Sequence, residues 1–503
     1  MLFHTIPEIL SYANEAYGAD DAIRWKKSKN EIESRTYSEL KNDTDSFANA
    51  IEKLGKKGQH IAVIGPSSYE WIVSYLAITE SGSVAVPIDA SLPAEDVCEL
   101  LDRADVRMLI FDEARSDVAE AAAKSCHGIN VYVSINSTEH CPQVLSFYGL
   151  IDDNRGSYES AVAEDALCTI MFTSGTTGKS KGVMLTQNNL AENATCLDMK
   201  IGPHTVILSV LPIHHAYCLS MDILKGISLG SVICINDSIM RMAKNIQLFT
   251  PDMILMVPLM IETFARKLEE VRAAGLPAEP VRKKIFGERL HTICSGGAYL
   301  NPDYVDLFAE FGITILQGYG MTECSPVIST NISWDIRKNS VGKLMQNCEA
   351  KTVDGELLVR GTSVMGYYKM PKETEETLSD GWLHTGDLGY VDEDGYIYLT
   401  GRRKNLIITK NGENVSPEEL ENALSVNHLI KEIIVRESEG VIEAEIFPDS
   451  EYAQNAGIAD IRAALQVLID EYNVKAPAYK RIYSLKVRES EFEKTASRKI
   501  KRS

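Results

Sequence analysis

Residues 173–182 read TSGTTGKSKG, a stretch of glycines, hydroxyls and two lysines. Glycine lets backbone amides come close to a phosphate, and hydroxyl and ammonium groups add donors and positive charge. The Walker A pattern G-x-x-x-x-G-K-[ST] aligns on Gly178, Lys179 and Ser180, but it then requires a glycine where Thr173 stands. A Walker loop also runs directly into a helix. Here Gly182 leads into Val183, Met184 and Leu185, and the first good helix N-cap is Thr186. The loop therefore joins two extended segments, the first being LCTIMF at 167–172. An ordinary glycine–serine turn fits the same residues, so the elements around the loop must decide.

Those elements alternate. Thr36 and Glu39 form a capping box, followed by Leu40, Phe47, Ile51 and Leu54 at helical spacing. HIAVIG at 60–65, VAVPID at 84–89 and VRMLIF at 106–111 read as buried strands, with a helix through YEWIVSYLAITESG between the first two. The pattern resumes after the loop with TVILSVLP, a helix from Tyr217, SVICIN, ERLHTICSGG and ITILQGYG. Strands separated by helices predict an α/β fold with mostly parallel sheets. From about residue 351 the texture changes to short strands with Asp-Gly turns, which predicts a β-rich subdomain over 351–400. A small α+β domain is expected from 401 to 503, with a proline-led capping box at Ser416, Pro417, Glu418 and Glu419.

The length of 503 residues requires more than one core. A formal charge of −20, from 51 basic and 71 acidic residues, speaks against nucleic acid and anionic membrane surfaces as partners. No apolar run is long enough to span a membrane, so no integral membrane association is expected. The first residues lack the basic region of a secretion signal. Ten cysteines without a C-x-x-C pair predict reduced thiols and a cytoplasmic protein. The ten histidines show no metal-like spacing beyond the neighbours His214 and His215.

Five motifs stand in a fixed order: TSGTTGKSKG at 173–182, YGMTE at 319–323, TGD at 385–387, GRRK at 401–404 and KTASRKIKR at 494–502. With them the chain, from about Tyr37 to Arg502, resembles the adenylate-forming superfamily of acyl-CoA synthetases, peptide-synthetase adenylation domains and luciferases. The resemblance implies a large N-terminal domain over 1–400 and a small mobile C-terminal domain over 401–503. It implies that Thr173, Ser174, Gly175, Thr176, Thr177, Gly178 and Lys181 wrap the phosphates of ATP. Tyr319, Gly320 and Thr322 would meet the nucleotide, with Gly297 and Ala298 on the adenine side. Glu323 would hold Mg2+ with help from Thr173, and oxygen ligands suit that hard cation.

By the same resemblance Asp387, with Arg402 beside it, would accept from the ribose hydroxyls, for which a carboxylate has the two acceptor oxygens. Lys404 would be the hinge, and Lys499 and His215 catalytic. Each residue also has a plain reading: Glu323 a surface carboxylate, Asp387 a turn residue, Lys404 a solvated lysine, and 494–502 a basic frayed tail. The family usually has proline where Ser180 stands and glycine where Arg498 stands.

The acid is expected near LPIHHAYCLS at 211–220. Amino-acid-activating relatives place an aspartate there, whereas His214, His215 and Ala216 offer no carboxylate, which favours an uncharged acid; the histidine pair resembles that of medium- and long-chain fatty acyl-CoA synthetases, which implies a medium- or long-chain fatty acid. Met240, Met242, Met253, Met256 and Met260 follow and are candidate tunnel lining, or simply core. The resemblance implies a carboxylic acid, ATP and coenzyme A as substrates. Acyl-adenylate forms first; the small domain then turns about Lys404 and a thioester follows. A fatty acyl-AMP ligase loading an acyl carrier protein, an amino- or aryl-acid adenylation enzyme, and an inactive nucleotide-binding regulator remain open.

Overall fold

The computed structural model describes residues 1–28, 31–137, 143–173, 180–197, 199, 201–361, 365–409, 413–494 and 500–502. Ser174, Gly175, Thr176, Thr177, Gly178 and Lys499 lie outside the described residues. The chain divides into two compact units, one of residues 1–350 and 359–383, the other of 351–358 and 384–503.

The first unit holds a seven-stranded and a nine-stranded sheet. In the seven-stranded sheet, His60–Ile64 lies between Val84–Ile88 and Val106–Phe111, all parallel. These strands are almost wholly buried, as the unbroken apolar runs require of parallel strands covered on both faces. Beyond Val84–Ile88 come Leu167–Thr173 and, antiparallel to it, Lys181–Thr186. The helix Tyr37–Lys53 carries the expected capping box, with the Thr36 hydroxyl accepting from Glu39 N–H and Glu39 accepting from Thr36 N–H.

The nine-stranded sheet has a parallel centre of Val206–Ser209, Val232–Ile235, Met253–Met256, Thr292–Ser295 and Thr314–Gly320. Its far edge is a hairpin from the start of the chain, Asp21–Ser28 with Glu31–Thr36, docked in parallel on Val232–Ile235. Nothing in the local sequence assigns that hairpin to a sheet whose neighbouring strand lies some two hundred residues later, with Ile23 opposite Ile233. The helix expected from Tyr217 begins at Ala216, passes through a π-helical stretch, Leu219–Leu224, and ends as Lys225–Ser228.

In the second unit, residues 387–391 of the strand Trp382–Val391 pair antiparallel with Ile397–Arg402. Ile430–Ser438 and Val441–Pro448 form a hairpin, joined by Ser484–Val487. Glu439 and Gly440, at φ 52° and 81°, make its two-residue turn, a type I′ geometry that matches strand twist. Leu420, Val435, Ala444, Ile446, Leu465 and Ile469 supply the core beneath the helices Pro417–Ser425 and Ile461–Lys475. The capping box expected at Ser416 does not form, although the helix starts at Pro417 as predicted. The Ser416 hydroxyl donates instead to Glu418 Oε2 over 3.1 Å, in a site pressed against Gly401.

Candidate functional site

The phosphate-loop candidate is held at its two described ends by a ladder. Phe172 pairs with Gly182 and Thr173 with Lys181 in antiparallel register. The two strands therefore bring the threonine hydroxyl and the lysine ammonium, eight positions apart, to opposite places on one ladder. The extended exit strand confirms why the Walker alignment fails: no helix follows the loop here.

A third segment lies along that exit strand. Met184 N–H donates to Gly366 carbonyl at 3.0 Å, Tyr368 N–H donates to Gly182 carbonyl at 2.8 Å, and Val183 bridges Tyr367. Gly366 sits at φ 102°, and a Cβ there would fall 2.4 Å from Thr374 Cγ2, so the bend needs glycine. The bend turns the buried Tyr367 toward two of the expected site residues. Its hydroxyl donates to Glu323 Oε1 over 2.7 Å, and Lys181 Nζ lies 4.7 Å from its ring centroid. Burial, with the Glu323 carboxylate beside it, raises the phenol well above its ordinary range, so Tyr367 acts as a donor at any working pH. The sequence reading missed Tyr367. Its only signal was a tyrosine after the bend glycine in MGYYK, and the 44-residue separation from Glu323 hides the contact.

Glu323 lies in a 3-10 turn, Thr322–Cys324, immediately after the strand Thr314–Gly320 that carries Tyr319. Gly320 permits this turn, since a Cβ would stand 1.9 Å from the Pro326 carbonyl oxygen. Thr322 and Glu323 are half-buried. Thr173 and Glu323 offer oxygen donors of the type a hard cation takes, so the residues fit the magnesium expectation. Among the described residues no group of three histidine, cysteine or carboxylate side chains is placed to hold a metal ion.

Thr292–Ser295 delivers the loop containing Gly297, at φ 85°, and Ala298, both exposed. Gly296 is packed on Tyr217, where an added Cβ would lie 3.1 Å from the ring, so the loop expected on the adenine side and the segment expected near the acid meet there. His215 is exposed, and its ring lies 4.4 Å from that of His214. His214 Nε2 faces Asp89 Oδ2 at 3.7 Å, a partner from the end of another strand that the sequence reading did not find. Burial, then the neighbouring His215, pushes His214 down to about 4, so its imidazole is neutral at pH 7. Asp222, on the π-helical stretch, is fully buried, and burial pushes its carboxyl up to about 7.

The methionines do not form one lining. Met240 is 93% exposed, whereas Met253 and Met256 are buried three places apart on one strand and so face opposite sides of the sheet.

The remaining expected residues belong to the second unit. Asp387 is buried and faces Arg402 across the hairpin, with Arg402 Nε 2.7 Å from Asp387 Oδ1. Thr385 fixes the approach: its hydroxyl donates to Leu357 carbonyl at 2.7 Å and accepts from Asp387 N–H at 3.0 Å. Glu356 supports the same bend, accepting from Gly386 N–H at 3.0 Å and Arg403 Nη1 at 2.6 Å. Lys404 lies in the short turn Arg403–Asn405, where burial and the nearby Arg402 and Arg502 charges lower its ammonium.

The residues flanking Lys499 are anchored. Lys494 bridges Ile500, and Lys501 N–H donates to Glu493 carbonyl at 2.8 Å. Lys494 Nζ pairs with the buried Glu432 at 2.5 Å and with Glu491 at 2.8 Å, and Arg502 pairs with Glu421. A frayed basic tail does not describe Lys494 or Arg502.

Residues 11–369 match the family model described as AMP-binding enzyme, and 404–503 match that of the AMP-binding enzyme C-terminal domain. The chain belongs to the AMP-binding enzyme family. It is an AMP-forming acid–thiol ligase, and its fold is that of the adenylate-forming enzymes. A 4-coumarate–CoA ligase-like protein of Oryza sativa subsp. japonica is 30% identical over 463 residues, covering 84% of this chain and 78% of that protein. A long-chain-fatty-acid–CoA ligase of Salmonella typhimurium is 26% identical, covering 86% and 82%. The solved anthranilate CoA ligase in complex with anthranoyl-AMP superposes with a TM-score of 0.85 at 22% identity, covering 99% of this chain and 96% of that one. The last shows the shared fold.

Proposed function

We propose that this ligase activates a medium- or long-chain fatty acid with MgATP and passes the acyl group to coenzyme A. The observation that carries the acid class is the segment 214–217, HHAY, with no carboxylate for an ammonium group. The Salmonella fatty-acid ligase among the relatives supports it. In the first step a carboxylate oxygen attacks the α-phosphorus, the bond to the β-phosphate oxygen breaks, and pyrophosphate leaves. In the second a thiol sulfur attacks the acyl carbon, losing its proton, and AMP leaves.

Lys181 and Thr173 would bind the phosphates. Glu323, oriented by Tyr367, and Thr173 would hold magnesium, which when bound spreads the negative charge of the leaving pyrophosphate. Asp387 would accept from the vicinal hydroxyls of a ribose, with its carboxylate held by Arg402. Lys499 would stabilise the charge shared between carboxylate and α-phosphate in the adenylation step, and His215 would flank the acid.

A second reading has one observation in its favour. Asp89 stands 3.7 Å from His214, and its carboxyl is held below the usual range, burial being outweighed by the histidine and by Ser91 N–H. A carboxylate at that place favours an acid bearing a cationic group. Acid-dependent pyrophosphate exchange across fatty, aryl and amino acids separates the two. Exchange with fatty acids alone supports the proposal; exchange with an α-amino acid and none with fatty acids overturns it. Coenzyme A and acyl carrier protein, offered in turn to the accumulated adenylate, identify the acceptor.

A further inference from the structure

The ladder that roots the candidate phosphate loop is gripped from outside its own two strands. The helix Ala94–Arg103 ends two residues before the strand Val106–Phe111, and its last side chain reaches across to that ladder. Arg103 Nη2 donates to the Ser180 carbonyl at 2.5 Å, and its guanidinium carbon stands 5.6 Å from the centre of the Phe172 ring. Phe172 and Gly182 pair on the ladder, Thr173 and Lys181 form the next rung, and Ser180 is one step beyond. One guanidinium thus meets the entry strand through a ring face and the exit strand through a carbonyl.

The same turn grips the exit strand a second time. Asp105, at φ 52°, accepts from the Tyr368 hydroxyl at 2.6 Å and pairs with Lys369 Nζ at 2.6 Å. Tyr368 in turn donates its N–H to the Gly182 carbonyl. Arg103 directly, and Asp105 through Tyr368, therefore hold Ser180 and Gly182, the two residues that flank Lys181. The other partner of Arg103 is Glu99, whose Oε1 lies 3.5 Å from Nη1 on a side chain 63% exposed, a loose surface pair of little worth. The bond to Ser180 is the short, charge-assisted one. Serine, unlike proline, leaves φ free, so residue 180 by itself does not restrict the backbone beside Lys181. A tether from outside does, and an anion that then binds has less chain left to order.

We propose that Arg103 is a positioning residue for the nucleotide. By holding the Ser180 carbonyl it fixes the backbone beside Lys181 before ATP arrives, and so sets the affinity for the ATP phosphates. The inference rests on the reading of residues 173–182 as the phosphate loop.

Two measurements on the full chain test it. The first needs no nucleotide: hydrogen–deuterium exchange of the amides of Lys181–Thr186, which Arg103→Gln should speed roughly tenfold, the usual consequence of losing one charged hydrogen bond. The second is calorimetric titration with MgATP, where the Kd should rise by a similar factor while the KM for the acid in pyrophosphate exchange is unchanged. Glu99→Gln, which removes only the surface pair, should match wild type in both. Ser180→Pro fixes φ at 180 by another route, so in that background Arg103→Gln should change the Kd for ATP by less than about twofold. Urea midpoints identify any variant that has lost its fold, and Arg103→Met, which keeps the aliphatic stem, should repeat the result of Arg103→Gln. Amide exchange unchanged in both variants shows that the bond does not hold the strand and overturns the proposal. Faster amide exchange with an unchanged Kd for ATP leaves a tether without a role in nucleotide binding and overturns it as well. So does an equal rise in Kd with and without the proline, since Arg103 would then not act through residue 180. Lys181→Gln judges the underlying reading separately. If it binds ATP undiminished, the loop reading fails; if it weakens binding and Arg103→Gln does not, only the assignment of Arg103 falls.

Discussion

The phenol of Tyr367 and the carboxylate of Glu323 are joined by a 2.7 Å hydrogen bond, although they come from different turns 44 residues apart. The same ring lies under Lys181, so one side chain touches both a lysine of the candidate phosphate loop and the expected metal ligand. Tyr367→Phe keeps the ring and the lysine contact and removes only the hydrogen bond. A hydrogen bond to a charged group contributes about 1.5–3 kcal/mol, so adenylation should fall on the order of tenfold or more at limiting magnesium. Raising the magnesium concentration should recover much of that loss, and direct Mn2+ binding in the presence of ATP should weaken in parallel. Equal loss at every magnesium concentration would assign Tyr367 to packing.

Lys499→Ala should reduce adenylation by roughly a thousandfold. A unit charge pair about 4 Å apart at an effective dielectric near 20 interacts by about 4 kcal/mol, and each 1.4 kcal/mol is tenfold. Conversion of supplied acyl-adenylate and coenzyme A to thioester should stay near the wild-type rate. Lys501→Ala is the appropriate control, because Lys501 pairs only loosely, 3.9 Å from Glu493. Lys494→Ala is not, because it strips the buried Glu432 of its cation and should lower the urea stability by about 1–3 kcal/mol. A Lys499→Ala enzyme that adenylates normally would return the segment to a purely structural role.

Lys404→Pro fixes φ in the turn Arg403–Asn405 without altering a substrate contact. Adenylate formation, followed by pyrophosphate exchange, should largely survive, and thioester formation from isolated adenylate should drop on the order of tenfold or more. Equal loss in both half-reactions would mean that Lys404 is not the pivot.

His214 gives a dependence on pH with a definite sign. Its folded value is lowered to about 4, from an ordinary 6.5. Between these values the unfolded chain binds the extra proton, so His214 makes stability rise with pH through that window and fall on acidification. The raised carboxyls Glu80, Asp222 and Glu421, each pushed up to about 7 chiefly by burial, act with the opposite sign, so only a difference isolates the histidine. His214→Asn should lose less urea stability than wild type on going from pH 6.5 to 4. Parallel curves would show that the imidazole is protonated in the folded state.

What was legible in the sequence was whatever depends on neighbours along the chain. The parallel strands at 60–64, 84–88 and 106–111 announced themselves as apolar runs, and Thr36 with Glu39 formed the capping box their spacing predicts. The extended exit of the loop followed from the apolar residues after Gly182, though its antiparallel pairing with the entry strand did not. What depends on chain-distant partners was not legible. His214 meets Asp89, Glu323 meets Tyr367, and the first hairpin joins a sheet built from residues after 200. Ser416 shows a local rule losing to its surroundings: the helix begins where expected, but crowding at Gly401 and the Glu418 carboxylate take the hydroxyl that would have capped it.

The backbone at 366–368 has a consequence beyond aiming Tyr367. Lys181–Thr186 is the last strand of the seven-stranded sheet, and a bare last strand offers unpaired amides and carbonyls to any other extended chain. The bonds from Met184 to Gly366 and from Tyr368 to Gly182 occupy part of that row. The described end of the candidate phosphate loop is thus rooted in a strand shielded from pairing with a second molecule. Substitutions that unseat Gly366 should therefore show first as aggregation on concentrating or warming the protein, before any change in how tightly it holds ATP.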